Sequence, residues 1–216
     1  MKIFLDSANI NDVTNAYNMG AITGVTTNPT IISRENKKFD DVLAEILAAT
    51  GPEILVFAEV LALDAEGMIK EGRAIAAKSS NIVVKVPALA EGLKAAKVLS
   101  SEGIKVCVTV CYSPTQAILA ANAGATFVAP FVGRLDDIGE NGLNLVQDIR
   151  DIFDAQGIET QIIAASVRHP IHVIELAKMG CDIATMPFKV IQQMIANPNT
   201  DRAVAGFLKD WEKVPK

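Results

Sequence analysis

Short apolar runs rich in β-branched residues recur along the chain, separated by longer stretches whose apolar positions return with helical spacing. Eight of these runs read as strands: Ile3–Asp6, Gly24–Thr27, Ile54–Leu61, Ile82–Val86, Lys105–Cys111, Thr126–Val132, Thr160–Val167 and Ile183–Met186. Between them, segments such as Ala65–Lys78, Glu91–Leu99 and Asn144–Phe153 have the pattern of amphipathic helices. Gly20, Gly103, Gly124, Gly157 and Gly180 each follow a helical segment and precede a strand, the place where a left-handed residue closes a helix. Asp64, Ser113 and Asp137 are the matching candidates for N-caps.

Strand–helix–strand repetition without hairpin signals predicts parallel strands joined by right-handed crossovers. Eight such units in 216 residues favour closure into a barrel over an open doubly wound sheet. No G-x-G-x-x-G follows the first strand, so the dinucleotide-binding alternative lacks its fingerprint. The expected fold is therefore α/β: one (β/α)8 TIM barrel spanning 1–216, with an additional C-terminal helix over 201–213. That helix, whose apolar pattern runs through Asp201–Trp211, reads as a docking element for a neighbouring subunit.

Composition narrows the function classes. Half of the residues are hydrophobic and 21% charged, which fits a folded protein. A net charge of −5 without any basic run argues against nucleic acid as a partner. No apolar stretch approaches the ~18 residues that span a bilayer, and no signal-peptide core separates Met1-Lys2 from Asp6. Three cysteines, an odd number without C-x-x-C spacing, read as free thiols; the expected compartment is the cytoplasm.

Parallel strands are buried on both faces and should be apolar throughout. Several break that rule: Asp6 ends Ile-Phe-Leu-Asp, Glu59 sits in Val-Phe-Ala-Glu-Val, Lys85 in Val-Val-Lys-Val-Pro, Thr109 in Val-Thr-Val, and Thr26-Thr27-Asn28 close the second strand. All lie late in their strands, at the end where barrels of this kind carry their chemistry. A side-chain period of two puts Phe57 and Glu59 on one face, and Cys107, Thr109 and Cys111 on one face. If those faces point inward, a lysine, an aspartate and a glutamate converge at the barrel mouth. A desolvated lysine amine can attack a carbonyl, and the resulting Schiff base is an electron sink for carbon–carbon cleavage. Two carboxylates beside it could move the protons.

Taken singly, each residue has a plainer reading. Lys85 could be an edge or snorkelling lysine, Asp6 the N-cap of the first helix, and Glu59 only an ion-pair partner of Lys85. Arg134, after the sixth strand, and Ser166 with Arg168, closing the seventh, look like an anion clamp, although an arginine alone is more readily a solvated salt bridge. His169 and His172 stand three apart with no acidic partner at ligand spacing, so no metal site is assigned. The joint occurrence of Lys85, Asp6 and Glu59 on separate strands favours chemistry.

Five segments carry a specific resemblance: Leu5-Asp6, Gly24-Val-Thr-Thr-Asn-Pro29, Val84-Lys85-Val86-Pro87, Pro130-Phe-Val-Gly-Arg134-Leu-Asp-Asp-Ile-Gly139 and Ala164-Ala-Ser-Val-Arg168-His-Pro170. In this order, over essentially the whole chain, they resemble the small-form transaldolase family. The resemblance implies transfer of a dihydroxyacetone unit between sugar phosphates, from sedoheptulose 7-phosphate to glyceraldehyde 3-phosphate, in the pentose phosphate pathway. It implies a Schiff base on Lys85, proton abstraction by Asp6, and a catalytic water held by Glu59 and Thr109. Thr26, Asn28 and Phe131 would face the substrate, with Asn28 on the donor's hydroxyls, and Arg134, Ser166 and Arg168 would hold phosphate. No metal or organic cofactor is implied. The resemblance also implies a homo-oligomer, a pentamer or decamer with the C-terminal helix crossing to a neighbour.

Fructose-6-phosphate aldolases share this barrel and lysine but typically carry Gln at the position of Glu59 and Tyr at that of Phe131; this chain has the transaldolase-like pair. A non-catalytic sugar-phosphate-binding barrel is the remaining alternative. Cys107 and Ala129 depart from the Asn and Ser common in transaldolases, which removes hydrogen-bonding groups from the expected Schiff-base pocket.

Overall fold

A computed structural model describes residues 1–215. Eight strands, β1 (Lys2–Asp6), β2 (Gly24–Thr26), β3 (Leu55–Glu59), β4 (Ile82–Pro87), β5 (Val106–Cys111), β6 (Phe127–Pro130), β7 (Gln161–Ala164) and β8 (Ile183–Met186), pair in sequence order. All pairings are parallel, and β1 also pairs β8, which closes the barrel. The helices are α1 (Ile10–Asn18), α2 (Pro29–Ser33), α3 (Phe39–Ala49), α4 (Ala65–Ala76), α5 (Ala90–Ser101), α6 (Pro114–Asn122), α7 (Val132–Asp136), α8 (Gly142–Gln156), α9 (Pro170–Lys178), α10 (Phe188–Ile195) and α11 (Pro198–Trp211).

Five of the eight strands, β2, β3, β5, β6 and β7, are shorter than the apolar runs that announce them. Val60 and Val167, just beyond β3 and β7, and Val132, the first residue of α7, are all buried, so the chain stays apolar after pairing stops. Helix termini follow local chemistry. Asp64 and Ser113 cap α4 and α6 by accepting from the amides of Gly67 and Gln116. The five glycines expected at helix ends all have positive φ, between 63° at Gly157 and 83° at Gly124. Asp137 is a correction: it ends α7, and Asn141 caps α8 through the amide of Leu143.

Two apolar clusters form the core. The larger lies between sheet and helices, with Leu5, Val56, Val84 and Val108 facing outward from the strands. The smaller fills the barrel interior with Phe4, Phe57, Val83, Cys107, Phe127 and Ile163 among others. Phe4 reaches across to Gly24, where a Cβ would stand 2.7 Å from its ring, so glycine there makes room for the interior layer.

One strand is irregular. Val108 pairs with Val128 but Cys111 with Pro130, so β5 carries one residue more than β6 across the same span. The extra residue is Val110, whose φ of 58° is left-handed, a strained setting for a β-branched side chain. This bulge overturns the expected alternation: Cys107 and Thr109 face the interior, whereas Cys111 returns to the outer cluster. Period-two arithmetic fails there because it assumes an uninterrupted ladder.

Candidate active site

A cavity of about 850 Å³ opens at the C-terminal ends of the strands. Asp6, Thr26, Glu59 and Lys85 reach it from the ends of β1 to β4, Cys107 and Thr109 from β5, and Thr185 from β8. Its walls differ in character. The β1, β2, β3 and β8 side is hydroxyl- and carboxylate-rich, whereas the β6 and β7 side is lined by Ala129, Phe131, Ile163 and Ala165.

Lys85 is 6% exposed, so the edge or snorkelling reading does not hold. Its Nζ donates to the Thr27 carbonyl at 2.8 Å and lies 2.9 Å from Glu59 Oε2. Glu59 and Lys85 are Cα partners on neighbouring strands, as are Lys85 and Cys107, so backbone register alone brings the three side chains to one depth. The Thr27 carbonyl is itself anchored, because the Thr27 amide and Oγ1 both donate to Phe57 O, at 3.1 and 2.8 Å.

Asp6 is free for the cavity because Asn9, not Asp6, caps α1. Thr26 Oγ1 donates to Asp6 Oδ1 at 2.7 Å and stands 2.6 Å from Thr185 Oγ1. One hydroxyl has one proton, so the chain runs Thr185 to Thr26 to Asp6. Burial pushes the Asp6 carboxyl above its ordinary range; the Thr26 bond and the Lys85 charge oppose that shift, and the Glu59 charge adds to it. Thr109 is fully buried, and its Oγ1 has no hydrogen-bond partner among the described residues. A hydroxyl in that state is a site for a ligand atom or an ordered water. Burial drives the Cys107 thiol up to about 12, which keeps it neutral beside Lys85.

Asn28 is the N-cap of α2, its Oδ1 accepting from the Ile31 amide at 3.0 Å, which leaves the Nδ2 group as a donor for the cavity it lines. Arg134, on α7, and Ser166, left-handed at φ 60°, line the mouth. Arg168 does not line the cavity. Its guanidinium forms a two-bond pair with Asp137, one contact of which is 2.6 Å. Of the ten candidates, nine therefore line one cavity and Arg168 stands behind it.

Thr185 was not singled out from the sequence. Its signal was present, a hydroxyl at an inward position of the otherwise apolar Ile-Ala-Thr-Met run. Ser7, Asn9 and Asp12, which edge the cavity next to β1, lie in a loop and a first helical turn, where polar residues are expected for other reasons. Among the described residues no group of three or more His, Cys, Asp and Glu side chains is placed to hold a metal, and no helix is long and apolar enough to cross a membrane.

A closed eight-stranded parallel barrel with a buried lysine paired to a carboxylate at its C-terminal mouth defines a lysine-centred (β/α)8 barrel. The Transaldolase/Fructose-6-phosphate aldolase family model matches residues 3–216. A "Probable transaldolase" of Caldicellulosiruptor saccharolyticus is 56% identical, over 100% of this chain and 99% of its own. "Probable transaldolase 1" of Listeria monocytogenes is 54% identical over 100% of both chains, and a "Probable transaldolase" of Aquifex aeolicus 54% over 100% and 99%. A solved structure named "Native KDPGal structure" superposes with a TM-score of 0.58 at 16% identity, covering 85% of this chain and 81% of that one, a likeness of fold alone. The chain belongs to the transaldolase/fructose-6-phosphate aldolase family.

Proposed function

We propose that this protein is a transaldolase that moves a dihydroxyacetone unit from sedoheptulose 7-phosphate to glyceraldehyde 3-phosphate, giving erythrose 4-phosphate and fructose 6-phosphate, a step of the pentose phosphate pathway. The observation that carries the reading is the Lys85 amine, buried at the cavity floor 2.9 Å from Glu59, with Asp6 on the same floor.

Glu59 takes the proton that must leave Lys85 before its lone pair attacks the ketose C2. The carbinolamine loses its oxygen as water to give an iminium, with Glu59 and Thr109 handling that water. Asp6 then removes the C4 hydroxyl proton, the C3–C4 bond breaks, and its electron pair moves into the iminium as an enamine. The aldehyde product leaves. The enamine attacks the acceptor's carbonyl carbon, Asp6 returns its proton to the new alkoxide, and hydrolysis frees Lys85. Thr26 orients Asp6, Asn28 donates to donor hydroxyls, Phe131 closes the apolar wall, and Arg134 with Ser166 holds phosphate, with Arg168 behind them.

Glu59 and Phe131 favour transfer over release of free dihydroxyacetone. A phenylalanine cannot hand a proton to the enamine as a phenol could. The protein works in the cytoplasm as a homo-oligomer, and the exposed apolar face of α11 supports the oligomeric part of that reading. Fructose 6-phosphate and erythrose 4-phosphate should yield sedoheptulose 7-phosphate. Borohydride should trap an adduct that mass mapping places on Lys85, and Lys85→Met should abolish both. Dihydroxyacetone release without acceptor would favour the aldolase, and no adduct a non-catalytic sugar-phosphate-binding barrel.

A further inference from the structure

Two arms of the mouth, Arg134 on α7 and Ser166 after β7, come from separate chain segments. α7 has only five residues and cannot hold its own orientation. It is docked on the β7–α9 segment at four points. The Val132 amide donates to Ala165 O at 2.9 Å, and the Gly133 amide to Ser166 O at 3.2 Å. A Cβ on Gly133 would stand 2.4 Å from Ser166 O and 2.6 Å from Arg168 Nε, so glycine permits the contact. The other two points are side chains: Arg168 with Asp137, and His172 Nε2 at 3.3 Å from Asp136 Oδ2. Two adjacent aspartates at a helix C-terminus oppose the local dipole, so their partners have to compensate.

His172 is 6% exposed, and its Nδ1 has no hydrogen-bond partner among the described residues. An Nδ1–H there would be a buried orphan donor, and a bare Nε2 would face a carboxylate; the Nε2–H tautomer avoids both. Asp136 also accepts from the Gly142 amide at 3.0 Å through Oδ1, so one carboxylate joins α7, the start of α8 and α9. His169 packs against His172 with ring centroids 3.7 Å apart and the planes tilted by 45°.

We infer that Asp136 and His172 are positioning residues that latch the Arg134 arm to the Ser166 arm, fixing the spacing at which the mouth grips a phosphate monoester. The inference rests on the proposed transfer reaction only for its substrate names; the anion site can be read without it. His172→Phe keeps a ring against His169 and removes the donor, whereas His172→Gln restores a donor near the Nε2 position. In His172→Phe, KM for glyceraldehyde 3-phosphate should rise about tenfold or more, as expected for loosening one charge-assisted contact. Transfer to unphosphorylated glyceraldehyde should stay within about twofold, and His172→Gln should recover most of the loss. Inorganic phosphate should raise the melting temperature of the wild-type protein and fail to do so for His172→Phe. Where His172→Phe does not fold, Asp136→Asn, which keeps an oxygen for the Gly142 amide and turns a donor on His172, should give the same split. Equal losses on both acceptors, or an undiminished phosphate shift in the variants, would overturn the latch. Absent wild-type transfer with an intact, His172-dependent phosphate shift would instead overturn the reaction and leave the latch standing.

Discussion

Glu59 Oε2 stands 2.9 Å from Lys85 Nζ, and their backbones are direct partners across β3 and β4. Register, not side-chain flexibility, sets that distance. A buried ion pair of this kind contributes little net stability, but removing one partner strands the other charge. Glu59→Ala should therefore cost about 3–5 kcal/mol of unfolding free energy, read by urea denaturation. Glu59→Gln keeps volume and a hydrogen-bonding oxygen, so it should cost much less. It should still slow transfer by on the order of 10²-fold or more, because the proton acceptor is gone. Equal destabilisation by both changes would mean that the pair is not formed.

Asp6 should trade stability for chemistry. Its folded pKa is raised above 3.8 by burial, so the stabilising contribution of the protonated form is present below 3.8 and lost as pH rises through the folded value. At neutral pH an ionised Asp6 is held at a cost. Asp6→Asn should raise the neutral-pH unfolding free energy, with the difference fading toward acid, while transfer falls by at least about 10²-fold. The acid limb of kcat/KM in the wild-type protein should lie above the ordinary carboxylate range. An Asp6→Asn protein less stable at neutral pH, with the gap unchanged in acid, contradicts the burial account.

The barrel was legible because each strand announces itself as an apolar run, and the candidate site because Asp6, Glu59 and Lys85 are ionisable where parallel strands should be dry. The β5 bulge left no such trace. Val-Cys-Val-Thr-Val-Cys alternates well enough for an unbroken strand, and only pairing with β6 shows that Val110 is surplus. The Asp137 partner of Arg168 was hidden for a related reason: the sequence position of Arg168 fits an anion clamp, and Asp137 comes within reach only once α7 has folded back onto the β7–α9 segment.

The bulge itself is testable. A left-handed conformation costs a residue with a Cβ about 1–2 kcal/mol, against about 0.5–1 kcal/mol of extra chain entropy for glycine. Val110→Gly should therefore stabilise the protein by roughly 0.5–1 kcal/mol, whereas glycine in a regular strand would destabilise it. Denaturation midpoints of the two proteins decide the matter.

The thiols should be silent in the folded state. Burial pushes Cys107 to about 12, and Cys111 and Cys181 to about 11, so thiolate is scarce at mildly alkaline pH and access is closed as well. A chromogenic disulfide reagent should find no fast-reacting group in the native protein and three after denaturation. Rapid native labelling of Cys107, which lines the cavity but is 1% exposed, would contradict the burial that raises its pKa.

The C-terminal helix makes the last claim. Val204, Phe207, Leu208 and Trp211 are all at least half exposed and spaced three, four and seven residues from the first, one continuous apolar stripe. No residue of α11 is buried against its own barrel. A stripe of this size left in water invites association, and a second copy of the chain is the occupant that the homo-oligomeric reading supplies. Sedimentation should give a mass several times 23.0 kDa, and Phe207→Glu with Trp211→Glu should lower it to the single chain, because each charge would be desolvated in the contact. Trp211 is the one tryptophan of the sequence, so its emission reports the same event without a label. A blue-shifted spectrum that moves red on dilution, in step with the mass, ties the assembly to this helix; a water-exposed spectrum in a protein that still sediments as an oligomer moves the interface elsewhere.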